Sequence, residues 1–207
     1  MYRCFYPAPL RSPAPSGPSA RTTFNGKRPA AQGLVTLFDN RDSNLWLTSG
    51  NWLDVTSTLH GEYAGGEYNY LRTIAKWAQY FPVMESPTFI YRLDGQYVEG
   101  TAPFWDLARL RLRGFSSGQY LDNVAFTAQT ELRWMPFRRW SVSVFGGVGR
   151  IADTLRDLQD SGTAFAGGTG FRYMVAEDQK LSIGIDIAYS ESSQVVLYFQ
   201  IGDWLAN

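Results

Sequence analysis

At 207 residues, with 19 basic and 19 acidic side chains, the chain has the length of one domain and no formal net charge. That balance argues against a nucleic-acid-binding domain, whose surface is normally basic. Aromatic residues make up 15% and glycines number 20, a composition that suits a β-barrel whose two faces meet different solvents. Cys4 is the single cysteine, so no disulfide framework can form within the chain. No apolar run approaches the roughly 18 residues of a membrane-crossing helix.

Residues 1–32 read as a disordered leader, rich in Pro, Ser, Ala and Arg, with prolines at 7, 9, 13, 15, 18 and 29 and no hydrophobic period. They also lack the apolar segment of a signal peptide. An exported barrel needs such a signal, so the sequence is expected to be part of a longer chain or to start further upstream. From Gly33 to residue 207 the texture changes to strand-like segments, about nine in all: 33–39, 51–63, 68–82, 87–99, 124–134, 141–149, 162–175, 181–190 and 194–205.

Strands alternate faces with period 2. In 124–134, Phe126, Ala128, Leu132 and Trp134 oppose Thr127, Gln129, Glu131 and Arg133. In 181–190, Leu181, Ile183, Ile185, Ile187 and Tyr189 oppose Ser182, Gly184, Asp186, Ala188 and Ser190. Leu53, Val55, Leu59 and Tyr63 oppose Asp54, Thr56, Thr58 and His60, and Val142, Val144 and Val148 oppose Ser141, Ser143, Phe145 and Gly147. Short turns are expected at Met135–Arg139 and Ser190–Ser193, a long loop at 100–122, and one or two helical turns within 150–160. Short turns at one end and long loops at the other mark outer-membrane barrels.

The polar stripes hold mostly Ser, Thr, Gln and Gly with few charges, which predicts that they line an enclosed space while the apolar stripes face lipid. Trp52, Tyr63, Tyr80, Phe81, Tyr97, Trp134, Trp140, Tyr189 and Trp204 fall near strand ends, as interfacial aromatic girdles do. In lipid every backbone N–H and C=O needs an internal partner, so such strands must close into a barrel.

Three patterns mimic chemistry. Gly114-Phe115-Ser116-Ser117-Gly118 matches the G-x-S-x-G of serine hydrolases, but the one histidine, His60, lies upstream and no helix is expected after Gly118. Gly147-Val148-Gly149-Arg150-Ile151-Ala152 matches a dinucleotide fingerprint, yet the following segments read as strands rather than alternating β and α units. His60 has no cysteine or histidine partner for a metal and reads as a hydrogen-bonded residue on a polar face. No catalytic residue, metal or cofactor is expected.

The specific signal is an ordered series. Phe38-Asp39-Asn40-Arg41-Asp42 is followed by Gly100-Thr101-Ala102-Pro103-Phe104-Trp105-Asp106-Leu107. Leu112-Arg113-Gly114-Phe115 then precedes Glu131-Leu132-Arg133 and Phe145-Gly146-Gly147-Val148-Gly149-Arg150. Gly168-Thr169-Gly170-Phe171-Arg172-Tyr173 and Tyr198-Phe199-Gln200-Ile201-Gly202 complete it. Over roughly 33–205 the chain resembles the BamA/TamA-type superfamily of outer-membrane barrels, the bacterial surface antigen family.

That resemblance implies the C-terminal half of a 16-stranded barrel with the Arg-Gly-Phe loop folded into the lumen. Arg113 would pair with Glu131, Gly114 would permit the tight backbone, and Phe115 would wedge against the wall. Phe199, Ile201, Gly202 and Trp204 would form the barrel-insertion signal. The chain departs from the family where a second acidic residue is expected, since Gly147 stands there, and in the position of its terminal aromatic. No periplasmic client-binding domain precedes the barrel in this sequence.

The resemblance implies a non-enzymatic assembly or translocation factor at the cell outer membrane, or the membrane anchor of a larger protein. Its partners would be outer-membrane lipid, client outer-membrane proteins or further barrel strands, and no nucleic acid. The alternative is a soluble β-barrel holding an apolar small ligand, which requires an apolar interior.

Overall fold

A computed structural model of the chain describes residues 30–202, apart from 44, 84, 85, 117, 193 and 194. The leader therefore lies almost wholly outside the described residues, as does Trp204. Among the described residues there are eleven strands: β1 (Ala31–Asp39), β2 (Gly50–His60), β3 (Tyr70–Pro82), β4 (Thr88–Gly100), β5 (Ala108–Arg109), β6 (Leu121–Asp122), β7 (Val124–Phe137), β8 (Trp140–Ala152), β9 (Thr163–Ala176), β10 (Leu181–Ser190) and β11 (Val195–Ile201). Nine of them form one sheet in the order β1-β2-β3-β4-β7-β8-β9-β10-β11, and β5 and β6 form a small hairpin inside the β4–β7 connection. Every neighbouring pair is antiparallel. The sheet is a continuous meander, the wall of an up-and-down barrel. Among the described residues β1 and β11 are not paired with each other.

The strand readings agree with this sheet to within a few residues, and 181–190 coincides with β10. β1 begins at Ala31, inside the expected leader. The 51–63 segment stops at His60 and gives way to a short 3-10 turn, Glu62–Ala64. The helical turns expected in 150–160 begin only at Thr154: β8 runs on to Ala152, pairing with Val124, and two single helical turns follow, closed by Leu158 N donating to Thr154 O at 3.2 Å and Ser161 N donating to Asp157 O at 2.9 Å. Met135 to Phe137 belong to β7, so the turn there is Arg138-Arg139 alone. It lies at the same end of the sheet as the 177–180 turn, whereas the turn that begins at Glu191 lies at the opposite end, with the 101–123 and 153–162 loops.

Sidedness follows the alternation. Phe126, Leu132, Trp134, Val144, Ile183, Ile185 and Ile187 are exposed, while Gln129, Glu131, Ser141, Ser143 and Asp186 are buried. The apolar stripe is thus on the uncovered face and the polar stripe beneath the loop. The interior expected of a soluble apolar-ligand barrel is reversed. At the short-turn end the outer face carries a band of rings in contact, with Trp140 4.5 Å from Tyr173 and 5.0 Å from Phe171, and Trp77 5.0 Å from Tyr91. Two expected girdle residues face the other way. Trp52 and Tyr80 point inward and pack with Leu47, Ala78 and Ile90. Their register explains this: Trp52 is paired with Ala78 and Tyr80 with Ile90, both buried inner positions.

Candidate functional site

The 101–123 connection folds back over the inner face. Its near end is tied down at Asp106, whose carboxylate meets Arg72 at 3.1 Å and accepts a hydrogen bond from the Tyr70 hydroxyl. His60 stacks on Tyr70 at 4.0 Å and lies 3.8 Å from the same carboxylate. This places His60 in a loop anchor. Among the described residues no group of three or more His, Cys, Asp or Glu side chains could hold a metal.

Two glutamines then receive the loop backbone as a strand edge would. Gln96 of β4 donates to Arg109 O at 2.9 Å and accepts from Arg109 N at 3.2 Å. Gln129 of β7 donates to Arg111 O at 2.9 Å and accepts from Arg113 N at 3.3 Å. Amide side chains offer both a donor and an acceptor, so each can replace a neighbouring strand.

Glycines clear the floor beneath. A Cβ on Gly147 would come within 2.6 Å of Leu112, and one on Gly149 within 2.6 Å of Leu110. Leu110, Leu112 and Phe115 pack together as a buried cluster against Ala164 and Ala166. Gly147 to Ala152 therefore lie within continuous strand β8, with Gly147 and Gly149 facing the loop, and among the described residues no helix follows them to receive a phosphate. The chain reverses at Gly114, where φ is +108°, a region that favours glycine.

At the reversal Arg113, 1% exposed, enters a buried ion cluster. Its Nη2 lies 2.6 Å from Glu131 Oε2 and its Nη1 3.1 Å from Asp186 Oδ2. Its guanidinium carbon stands 3.7 Å over the Phe145 ring. Glu131 Oε1 also receives Arg133 at 3.0 Å and Arg172 at 3.2 Å. Arg172 reaches on to Ser143 Oγ at 2.8 Å, Gln200 Oε1 at 3.2 Å and Asp186 Oδ2 at 3.3 Å, and Gln200 donates to Asp186 Oδ2 at 2.7 Å.

The register builds this cluster. Arg133, Ser143, Gly170, Asp186 and Tyr198 are successive cross-strand partners from β7 to β11. Glu131 lies two residues along on the same face. Gly170 leaves the room that the carboxylate needs, since a Cβ there would collide with Asp186 and Ser143. Buried charges must be paired and hydrogen-bonded to persist, and removing one member of such a cluster leaves the others uncompensated.

The sequence reading thus placed Arg113, Gly114, Phe115 and Glu131 at one site, and the structure brings all four there. It missed Asp186, Arg133, Arg172, Gln129, Gln200 and Tyr198. Asp186 had already been assigned to the polar face of its strand, and a carboxylate buried on such a face calls for a cation. Tyr198 accepts a hydrogen bond from Gly114 N at 2.9 Å and donates to Phe115 O at 3.3 Å. Phe199 and Ile201 point outward on β11, at 81% and 78% exposure, while Gly202 is buried and donates to Ser182 O at 2.8 Å.

Fold and site together define an all-β, antiparallel barrel wall with a long loop folded against its polar face. Among solved structures the chain is similar to BamA from Haemophilus ducreyi lacking POTRA domains 1–3, with a TM-score of 0.67 at 15% sequence identity, over 83% of this chain and 41% of that one. The likeness is one of fold, a BamA-like β-barrel architecture, and this chain spans less than half the length of that neighbour. No protein-family model and no curated protein sequence matches the chain.

Proposed function

We propose that the chain forms the C-terminal part of the wall of an outer-membrane β-barrel, and that its work is mechanical. In this reading it belongs with the BamA/TamA-type factors that assemble or translocate proteins at the outer membrane, or it anchors a larger protein there. The observation that carries the reading is the inverted sidedness: Phe126, Leu132 and Ile185 are 42–48% exposed, whereas Gln129, Glu131 and Asp186 are 0–3% exposed. A water-soluble sheet protein buries the opposite stripe. The long strands support it too. Six of them, β2 to β4 and β7 to β9, have 11 to 14 residues, against about 9–11 for a tilted membrane-crossing strand.

The Arg113 cluster acts in this reading as a clasp holding the loop against the wall, and Phe199, Ile201, Gly202 and Trp204 serve as the insertion signal. The partners are lipid on the outer face and client or further barrel strands at the edges. The test is expression of the full chain behind a cleavable export signal in a Gram-negative host, with fractionation and unheated gel electrophoresis. Recovery in the outer membrane, resistance to alkaline carbonate and a heat-modifiable band are expected. A monodisperse chain in buffer without detergent would overturn the assignment.

A further inference from the structure

A second loop enters the inner face from the opposite rim. Residues 40–49 connect β1 to β2, at the short-turn end of the sheet. Trp46 and Leu47 of this loop are 5% and 0% exposed. Leu47 joins the Trp52, Ala78, Tyr80 and Ile90 cluster. The loop is held in shape by Asp42, which accepts hydrogen bonds from Thr48 N, the Thr48 hydroxyl and Ser49 N. Ser43 Oγ accepts from Trp46 N at 3.3 Å. The rim loop is therefore a built element with its own core.

The two inward loops do not touch the wall independently. The Arg133 guanidinium carbon stands 4.8 Å over the Trp46 ring. The same guanidinium holds Glu131 Oε1 through Nε at 3.2 Å and Nη2 at 3.0 Å. The other oxygen of that carboxylate holds Arg113 of the Arg-Gly-Phe loop at 2.6 Å. A single carboxylate thus joins an arginine capped by one loop to an arginine belonging to the other.

We propose that the 40–49 loop and the Arg-Gly-Phe loop form one coupled latch, with Arg133 and Glu131 as the link between them. Seating of Trp46 fixes the Arg133 guanidinium against Glu131, and this positions the carboxylate for Arg113. An aromatic face over a desolvated guanidinium is attractive and directional, and charged hydrogen bonds inside a low-dielectric cluster reinforce one another. A disturbance at the short-turn rim is thereby felt at the loop that enters from the far rim. The link stands on the contacts described and holds whatever the barrel assembles or carries.

Hydrogen–deuterium exchange on the folded full chain tests this. Trp46→Leu keeps an apolar side chain and removes the ring face. It should speed exchange in 108–118 by about tenfold, the scale of losing a desolvated cation–π contact. Leu45→Ala, in the same loop at an exposed site, should leave 108–118 unchanged. In an Arg133→Met background, adding Trp46→Leu should produce no further change. Exchange in 108–118 that stays within twofold of the parent in Trp46→Leu overturns the proposal, whether or not 40–49 loosens. If Arg133→Met does not fold, the two single variants at Trp46 and Leu45 still decide it.

Discussion

Arg113 and Asp186, 73 residues apart, meet at 3.1 Å on the buried face of the sheet. Asp186 thus supplies a second carboxylate to an arginine whose other partner is Glu131, and it does so from β10. The position on β8 where the resemblance leads one to expect an acid holds Gly147. The two carboxylates carry unequal loads. Glu131 meets three guanidinium groups, those of Arg113, Arg133 and Arg172, and Asp186 meets two, those of Arg113 and Arg172. Removing one member of a buried ion pair leaves the rest uncompensated, at about 3–5 kcal/mol. Glu131→Gln is expected to cost that amount. The contacts of Asp186 from Arg113, Arg172 and Gln200 all run to Oδ2, whereas Glu131 uses both oxygens. Asp186→Asn, whose amide oxygen can take the place of Oδ2, is therefore expected to cost about 1–3 kcal/mol. Urea unfolding midpoints of the folded barrel measure both, and an Asp186→Asn effect larger than that of Glu131→Gln would refute the ranking.

Strand alternation put Glu131 and Asp186 on polar faces because a period of 2 is a local property, visible in residues a few positions apart. Which of those residues meet is a matter of register across β7 to β11, and nothing local encodes it. Arg172 and Gln200 become neighbours only because both face Gly184 across adjacent strands. Trp52 and Tyr80 misled for a related reason. Nearness to a strand end suggests an interfacial girdle, but the register pairs Trp52 with Ala78 and Tyr80 with Ile90 on the inner face, where Leu47 of the 40–49 loop packs with them.

Gly147→Asp would restore the acidic residue that the family resemblance leads one to expect, and a charge-based argument alone predicts a tighter clasp. The packing predicts the reverse. A Cβ at this position meets Leu112 Cδ1 at 2.6 Å, Gln129 Cγ at 2.7 Å and Ala128 O at 2.9 Å. The carbonyl cannot retreat without disturbing the β7–β8 ladder, so Leu112 and the loop must give way. Overpacking of this kind costs about 1–3 kcal/mol. Gly147→Asp should therefore lower the unfolding midpoint and expose 108–118 to limited proteolysis, and a raised midpoint would show that the loop can accommodate the acid.

The turn between β9 and β10 provides a pH-dependent element outside the sheet. Arg139 donates to Glu177 Oε1 at 2.5 Å, and Arg138 lies 3.1 Å from Oε2. The Arg139 hydrogen bond, opposed by slight desolvation and aided by the charge of Arg138, holds the Glu177 carboxyl below its ordinary value. A depressed folded-state value means that the carboxylate contributes stability above the unfolded-state pKa of about 4.3. That contribution is lost as pH falls through the lower folded value. Solvent screening keeps it small. Against pH, the unfolding midpoints of the parent and Glu177→Gln should differ by a constant small amount near neutrality and converge below about pH 4, in the range set by the carboxylate pKa. A gap that widens on acidification would contradict the assignment.

Ile185 offers the most direct test of which solvent the outer face meets. It is 44% exposed, sits mid-strand in β10, and is paired with Phe171 of β9 and Phe199 of β11, both also exposed. In water an arginine at such a position is nearly neutral and can improve solubility, because its charge stays hydrated. In a bilayer the same charge must leave water near the middle of the hydrocarbon layer, at about 2–4 kcal/mol for a lipid-facing barrel position. Phe199→Arg, on the edge strand at the same level of the sheet, should behave alike. Asp186→Asn does not share the lipid-specific part of the effect, because that side chain faces the covered side. Ile185→Arg should therefore reduce folding yield sharply in phospholipid vesicles and less in short-chain detergent micelles, whose surface deforms to admit water. Equal yields of parent and variant in vesicles would mean that this face does not meet lipid.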